Sequence, residues 1–454
     1  MKKLAIILIL VLVGISIVFS QAKPGGIARQ AAMGGSFAGQ GLVLNPFIMM
    51  DPALILVNPA YQDRYKDYMW SNLAGGRVEG LNSGDNGYGH QNAGIAFGVS
   101  DAFTLGAILS YDPSAANNNT GNLSDYPQYQ RAPQTIPRIE NVWELVGSYK
   151  LSTMALGLGL MYGWSNYNDK EDFTSPVSSE EDEMSSSMIG IRAGAILDLN
   201  DKLSFDFSGQ LRLDNATDKI TRTPEVTGTG GEYKSSGTEM VFSARACYKI
   251  NNKFNFVPYA MIGFSNSEPK EATPPTGGTA ATASLKYSTS LYAFGIGGEY
   301  RTQSFYLAGG ISYQHASFET DTKSPGTATD TLLETLSYTG FPVVNLGGEW
   351  WFTEWLCGRI GYFRSIGSEM HKDEYPQRTW EHNESYDFSA INIGELNGSS
   401  YDGIVTLGVG FKFGGFSLEA TVSEDALRRG LGLIGSYNGI NTFGYMTASY
   451  NFAE

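Results

Sequence analysis

The feature that most constrains the fold is a two-residue alternation of side-chain character that recurs along the chain. Between residues 154 and 165, large apolar residues alternate with mostly small ones: Met154, Leu156, Leu158, Leu160, Tyr162 and Trp164 against Ala155, Gly157, Gly159, Met161, Gly163 and Ser165. Because successive side chains of a β-strand point to opposite faces, the segment is predicted to be a strand with one apolar face. Residues 202–215 set apolar side chains against polar ones in the same way.

Many such strands follow one another, and no helical pattern is present to cover their apolar faces. A soluble sandwich would bury these faces, whereas a closed barrel in a membrane exposes them to lipid and encloses the polar faces around water. The sequence therefore predicts an all-β fold, a transmembrane antiparallel β-barrel of 14–16 strands. We count sixteen strands, of which those at 68–79 and 416–423 are the weakest.

The connections between the predicted strands alternate in length. Tight turns such as Asn200-Asp201 and Asn251-Asn252 are followed by long connections, which we place at 113–138, 167–185, 216–237, 267–284, 319–333 and 367–400. Outer-membrane barrels have short periplasmic turns and long external loops, so this alternation favours a barrel of that kind. An even strand number puts both termini on the periplasmic side.

The first residues have the pattern of an export signal. Two lysines precede an apolar run over residues 4–19 and then Ser20, which is typical of a signal peptide and short for a membrane anchor. We divide the chain into a signal peptide (1–20), an N-terminal hatch segment (21–67) and a barrel (68–454). The expected location is the bacterial outer membrane, with outer-membrane lipid around the barrel.

The net charge argues against one class of partner, and the positions of the two cysteines argue against a disulfide. Without the signal peptide the chain has 46 acidic and 29 basic residues, a net charge of −17, so nucleic acid is not an expected partner. Cys247 and Cys357 lie on polar-facing positions of strands that are five apart in our count. At about 4.8 Å per strand they exceed the Cα separation of roughly 7 Å that a disulfide allows, so we predict two free internal thiols.

Charged residues of both signs occupy positions that face the predicted lumen. They are Glu144, Arg192, Asp206, Arg212, Glu239, Arg245, Glu299, Glu349, Arg359, Lys412 and Glu419. The mixture favours internal ion pairs and a filled or gated lumen over a strongly ion-selective pore. The alternative is that these side chains are solvated lumen walls.

Two prolines fall inside predicted strands, Pro258 and Pro342. Proline cannot donate a hydrogen bond to its neighbour strand, so each position predicts a bulge, a kink or a broken pairing. A kink would be a possible opening in the wall toward lipid, and a bulge near a rim is the alternative. Pro342 lies well inside its strand and is the stronger candidate.

The segment before the first strand does not alternate. It contains the small-residue run Ala31-Ala32-Met33-Gly34-Gly35 and, immediately before the barrel, Asn58-Pro59-Ala60. With these features the chain resembles the FadL/TodX-type outer-membrane transporters of hydrophobic compounds. The resemblance implies that the N-terminal segment is a hatch to which Asn58, Pro59 and Ala60 belong. It also implies a hydrophobic binding pocket and lateral exit through a wall opening.

The resemblance is incomplete in three places. That family's usual barrel has fourteen strands, residues 40–50 look like an insertion, and the chain ends on Glu454 rather than on an aromatic residue. The chain is also similar to the barrel of the type IX secretion shuttle, which leaves a role with a secretion partner open.

Two groups of residues contain side chains that could form a catalytic or metal site. His315 and Ser317 lie two residues apart on the outer face, as in outer-membrane phospholipases. No orienting Asn or Asp is identifiable, so we interpret the pair as residues of the membrane interface. Oxygen ligands for Ca²⁺ occur between residues 371 and 387 without a known ligand spacing, so a solvated loop is expected there. They are His371, Asp373, Glu374, Glu381, His382 and Glu384.

The sequence therefore predicts passive, hatch-gated uptake of small hydrophobic molecules such as long-chain fatty acids or aromatic hydrocarbons. We expect no enzymatic activity, no cofactor and no metal. The alternative is a non-transporting barrel whose external loops bind a protein partner as an interaction or secretion-partner protein.

Overall fold

The structure, a computed structural model, describes residues 25–38, 42–74, 91–111, 139, 141–174, 177–223, 231–273, 284–323, 331–375, 378–388, 404–422 and 443–453. In these residues the chain forms a closed antiparallel β-barrel preceded by a short N-terminal segment. The predicted fold class is confirmed. No helix in the described residues is long and apolar enough to span a membrane.

The N-terminal segment, residues 25–67, holds helix α1 (Ile27–Ala32), the hairpin of β1 (Ser36–Ala38) and β2 (Leu42–Leu44), and two 3-10 helices, Pro52–Leu56 and Pro59–Tyr65. The strands that follow are β3 (Tyr68–Ala74), β4 (Gln91–Gly98), β5 (Phe103–Tyr111), β6 (Asn141–Lys150), β7 (Met154–Thr174), β8 (Val177–Asn200), β9 (Leu203–Thr223), β10 (Gly231–Lys249), β11 (Phe254–Thr273), β12 (Ser284–Arg301), β13 (Phe305–Lys323), β14 (Thr331–Trp351), β15 (Leu356–Tyr375), β16 (Arg378–Phe388), β17 (Ile404–Phe413), β18 (Phe416–Val422) and β19 (Phe443–Asn451).

Sixteen of these strands form the wall, as counted from the sequence. Each pairs with the next in antiparallel order, and β19 pairs with β3 to close the barrel. Strand β15 has two partners on one side: residues 356–363 pair with β17, and residues 365–375 pair with β16. In the described part of the chain, β16 is therefore an additional strand at the external end of the wall.

The wall is apolar outside and polar inside. In β6, Leu145 is 64% exposed and Trp143 is 51% exposed, while Glu144 between them is only 6% exposed. This inversion of the usual burial pattern is stable only where hydrocarbon covers the outer face. Near the tight turns the outer face carries aromatic residues, including the stacked pair Trp355 and Phe413, as expected for a membrane interface.

The prediction of long external loops was wrong in part. Strands β7 and β8 stay paired to the register Thr174↔Val177, so most of residues 167–185 is strand rather than loop. Much of 216–237 and part of 367–400 are strand as well, whereas 113–138 lies outside the described residues. The alternation of apolar residues ends where the strands leave the membrane, but backbone pairing continues with polar side chains in water.

Both cysteines are confirmed as free thiols. Cys247 and Cys357 are buried, on strands β10 and β15. Their burial on the inner face agrees with the parity read from the sequence.

Candidate functional site in the barrel lumen

The N-terminal segment lies inside the barrel at its short-turn end. Helix α1 contacts β15, β17, β18 and β19, while the second 3-10 helix contacts β4 to β8. Between them, Arg245 of β10 donates to the backbone oxygen of Ile48, and Asn345 of β14 donates to that of Gly34. Because one short segment contacts strands on all sides of the wall, it fills the lumen at this level.

Two similar tripeptides shape this segment. Asp51 and Asn58 each cap a 3-10 helix: their side-chain oxygens accept hydrogen bonds from the backbone N–H two residues on, at 2.8 Å and 2.9 Å. In both cases proline follows at the first helical position, where its fixed φ and missing N–H cost nothing. Asp51-Pro52-Ala53 and Asn58-Pro59-Ala60 therefore start helices by the same local chemistry.

Glycines of the inner wall make room for this segment. A Cβ added at Gly157 would overlap the backbone of Ala60, and one added at Gly194 would overlap the side-chain oxygen of Asn58. On the other side of the lumen, a Cβ at Gly347 would overlap the backbone of Met33. The small-residue face recognised in the sequence is thus the surface on which the segment packs.

A chain of buried charges joins α1 to the wall. Arg29 donates to Asp51 and Glu349 at 2.9 Å each, Arg359 donates to Glu349 at 2.7 Å, and Arg359 also donates to Glu419. All five side chains are almost completely buried. Burial lowers the pKa of Arg29, but Glu349 and Asp51 outweigh this effect, so its pKa lies well above the usual value and the guanidinium stays charged.

A second buried network holds the tripeptide at residue 58. The side-chain amide of Asn58 donates to Asp206 and to the backbone oxygen of Phe207, the latter at 3.1 Å. Asp206 also accepts from Arg245 and from the hydroxyl of Tyr61, the latter at 3.0 Å. Burial and the neighbouring Asp206 raise the pKa of Tyr61, so its hydroxyl remains a donor.

Apolar side chains line the wall next to the external side of the segment. Val343 and Phe363 are buried on the inner face, and Tyr259 packs edge-on against Phe47 with ring centroids 5.5 Å apart. Met261 continues this lining from β11. On β11, β14 and β15 the inner wall is therefore apolar just beyond the segment, whereas β9 and β10 carry the buried ion pair of Arg212 and Glu239 toward the loops.

The predicted internal ion pairs are present, but their partners could not be read from the sequence. The alternation in the strands predicts that Asp206, Arg245, Glu349 and Arg359 face the lumen. It gives no information on Arg29, Asp51 and Tyr61, because the N-terminal segment does not alternate. A lone arginine in a run of small residues was the available signal for Arg29.

The structure places the two prolines in different settings. At Pro342, residues 341 and 342 of β14 oppose a single residue on both β13 and β15, which is a bulge on both sides of the strand. Pro258 keeps its register with Ile296, and pairing with β10 is interrupted without a shift. The wall irregularity is therefore centred on Pro342.

The outer-face pair considered for catalysis is not arranged as a nucleophile and base. Nδ1 of His315 is 2.9 Å from the hydroxyl oxygen of Thr339 on the neighbouring strand. In the described residues no hydrogen bond joins His315 to Ser317, so the ring is engaged elsewhere.

Residues 149–339 match the family model of the outer membrane protein beta-barrel domain. Over this segment the chain is similar to outer-membrane β-barrel domains. The matched segment contains strands β7 to β13 of the barrel protein and ends within β14. No curated protein matches its sequence.

Several solved structures are similar to the barrel protein, with low sequence identity and low TM-scores. The Pseudomonas putida toluene transporter TodX is 11% identical with a TM-score of 0.36, covering 96% of this chain and 97% of that chain. A Pseudomonas aeruginosa FadL homologue is 13% identical with a TM-score of 0.41, covering 96% and 100%. The Ralstonia pickettii toluene transporter TbuX is 11% identical with a TM-score of 0.36, covering 94% and 97%.

One substitution tests the fit between the segment and the wall. Gly194→Ala would push Asn58 away from Asp206, and we expect the free energy of unfolding to fall by about 1–3 kcal/mol, as for other overpacked sites. Chemical denaturation in lipid vesicles measures this change. Gly263→Ala is the matched control, because the added Cβ would be 3.6 Å from its nearest neighbour, Cβ of Leu291, which is an ordinary contact distance. Equal losses in the two variants would contradict the assignment.

Proposed function

We propose that the protein is a passive outer-membrane channel for small hydrophobic molecules, such as long-chain fatty acids or aromatic hydrocarbons, with residues 21–67 as its hatch. In this proposal the short-turn end and both termini face the periplasm. The ligand enters between the external loops, and binding next to the apolar lining moves residues 58–60. The bulge at Pro342 is the proposed lateral opening, with Pro258 as a secondary position.

The observation that carries the proposal is the attachment of Asn58 to the wall. The tripeptide Asn58-Pro59-Ala60 sits on two glycines and is held by a single side-chain amide to Asp206 and Phe207. Its helix also carries Tyr61, which shares Asp206. A displacement of this one helix would break the hydrogen bonds of Asn58 and Tyr61 to Asp206 and would reduce the blockage of the lumen beside β7 to β9.

A reversible cross-link tests the gate. A Cβ at Gly194 would be 2.6 Å from Cγ of Asn58, so the two Cβ atoms come within disulfide range when both residues are cysteine and the amide is removed. We expect Asn58→Cys/Gly194→Cys, made in a background without Cys247 and Cys357, to lose uptake of a fluorescent fatty acid when oxidised. Reduction should restore uptake in proteoliposomes.

Two controls make the result specific. Each single cysteine variant should be insensitive to oxidant and reductant. Uptake that continues unchanged through the oxidised double variant would overturn a gate at residues 58–60.

The extended external strands favour a second candidate function, binding of a protein partner. In β7, residues 166–174 are exposed on both faces and rich in polar side chains. This β7–β8 ribbon continues the wall, since β8 stays paired with β9 as far as Ser179↔Thr223. In the described residues the pairing of β7 with β6 ends at Trp164, so the edge of β7 beyond it is offered to another protein. A stoichiometric complex lost on shortening the β7–β8 ribbon, together with absent fatty-acid uptake, would favour this function.

A further inference from the structure

A histidine and two carboxylates converge on the inner face of the barrel at its external end. Nε2 of His371 is 2.9 Å from Oε1 of Glu334 and 3.1 Å from Oδ1 of Asp373. The ligand atoms of all three residues lie within 4.8 Å of one another. We propose that Glu334, His371 and Asp373 bind a divalent transition-metal ion such as Zn²⁺.

The bulge at Pro342 brings these residues to one face. Below it, Glu349 faces the lumen and pairs with Arg359, so odd-numbered residues of β14 point inward. Above it, Glu334 pairs with Asp373, which has the same parity on β15 as Arg359. The extra residue of the bulge therefore turns Glu334 inward, where an uninterrupted strand would have pointed it to the outside.

Hydrogen bonding alone fits this cluster poorly. A neutral imidazole nitrogen carries at most one hydrogen, but two carboxylate oxygens approach the same nitrogen of His371. A protonated nitrogen would have to share its one hydrogen between the two oxygens, and an unprotonated nitrogen would face two acceptors without any donor. A cation between the three atoms satisfies all of them at once.

The donor set and its spacing suit a borderline-soft ion. Imidazole nitrogen and carboxylate oxygens bind Zn²⁺ at about 2.0–2.2 Å in tetrahedral geometry, which places neighbouring ligand atoms about 3.3–3.6 Å apart. The distances from Nε2 of His371 to the two oxygens, 2.9 Å and 3.1 Å, are slightly shorter, so the three side chains would separate by a few tenths of an ångström around the ion. A single imidazole among the ligands disfavours Ca²⁺, which takes oxygen ligands only.

A second histidine is placed to extend the site. His382 of β16 pairs directly with His371, so their side chains share a face of the sheet. Trp380, on the same strand, contacts the His371 ring edge-on at 5.3 Å. Two of the four histidines in the chain therefore lie here, and a bound ion would join β14 to β15 beside β16 at the external mouth.

Titration of the full-length protein, folded in detergent, with ZnCl₂ by isothermal calorimetry tests the site. We expect a single ion per chain and an affinity that falls by about 10-fold or more in both His371→Gln and Glu334→Gln. Glutamine at residue 371 retains a hydrogen-bond donor for a carboxylate but is a poor Zn²⁺ ligand, so it separates metal binding from hydrogen bonding.

The control is His315→Ala, which removes a histidine from the outer face and should leave the affinity unchanged. Folding of every variant is checked by its heat-dependent shift in electrophoretic mobility. Absence of Zn²⁺ binding by the intact protein, or unchanged binding by folded His371→Gln, would overturn the proposal.

Discussion

Deleting residues 25–66 is expected to convert the barrel into an open, water-filled pore. Barrels of about 16–18 strands leave an aqueous channel when nothing fills them, and here the N-terminal segment occupies the short-turn end of the lumen. The deletion leaves the sixteen-strand wall intact, since every strand pair from β3 to β19 lies outside the deleted range. Single-channel recording in planar bilayers should show porin-like conductance that the full-length protein lacks.

The charges left behind predict how this pore behaves. Without the segment, water surrounds Arg192 and Glu144, Arg245 and Asp206, and the other mixed-sign residues of the inner wall. Because both signs are present, we expect weak selectivity between cations and anions, which the reversal potential in a salt gradient measures.

A control deletion separates loss of the segment from general damage. Shortening the β7–β8 ribbon by residues 170–179 removes exposed external structure and leaves the N-terminal segment in the lumen. This variant should stay closed. A folded barrel that lacks residues 25–66 and still does not conduct would show that the segment is not what closes the lumen.

Replacing Glu349 by alanine is expected to reduce the stability of the protein strongly. Glu349 accepts from both Arg29 and Arg359, and its loss leaves two buried guanidinium groups with one fewer carboxylate. Breaking a buried ion pair costs about 3–5 kcal/mol. Because Asp51 and Glu419 remain as partners of the two arginines, we expect a loss of unfolding free energy at the lower end of this range, about 3 kcal/mol.

The free energy of unfolding from lipid vesicles in denaturant measures this loss. Glu354→Ala is the matched control: Glu354 is exposed in the turn between β14 and β15, so its change should stay within about 0.5 kcal/mol. If the two variants lose the same free energy, the buried network does not stabilise the fold as described.

The fold was largely predictable because its signal is local. In residues 154–165 a period of two identifies a strand, and the apolar face of Leu156, Leu158 and Leu160 is the face exposed to lipid in the structure. The inward parity of Glu144, Asp206 and Glu349 followed from the same rule. The prediction of a loop at residues 167–185 was wrong for a related reason. A strand is recognised by alternating apolar residues, and the β7–β8 ribbon continues the pairing without them.

The order of residues along the chain is enough to predict a barrel, the side chains that face lipid, and inward-facing charges of both signs. Which of these groups contact one another depends on how the strands are arranged in space. Asn58 reaches Asp206 across 148 positions of sequence, and Glu334 faces His371 because a bulge at Pro342 reverses its side. Alternation is a property of neighbouring residues, whereas these contacts depend on strand register and on closure of the wall, which no short stretch of sequence contains.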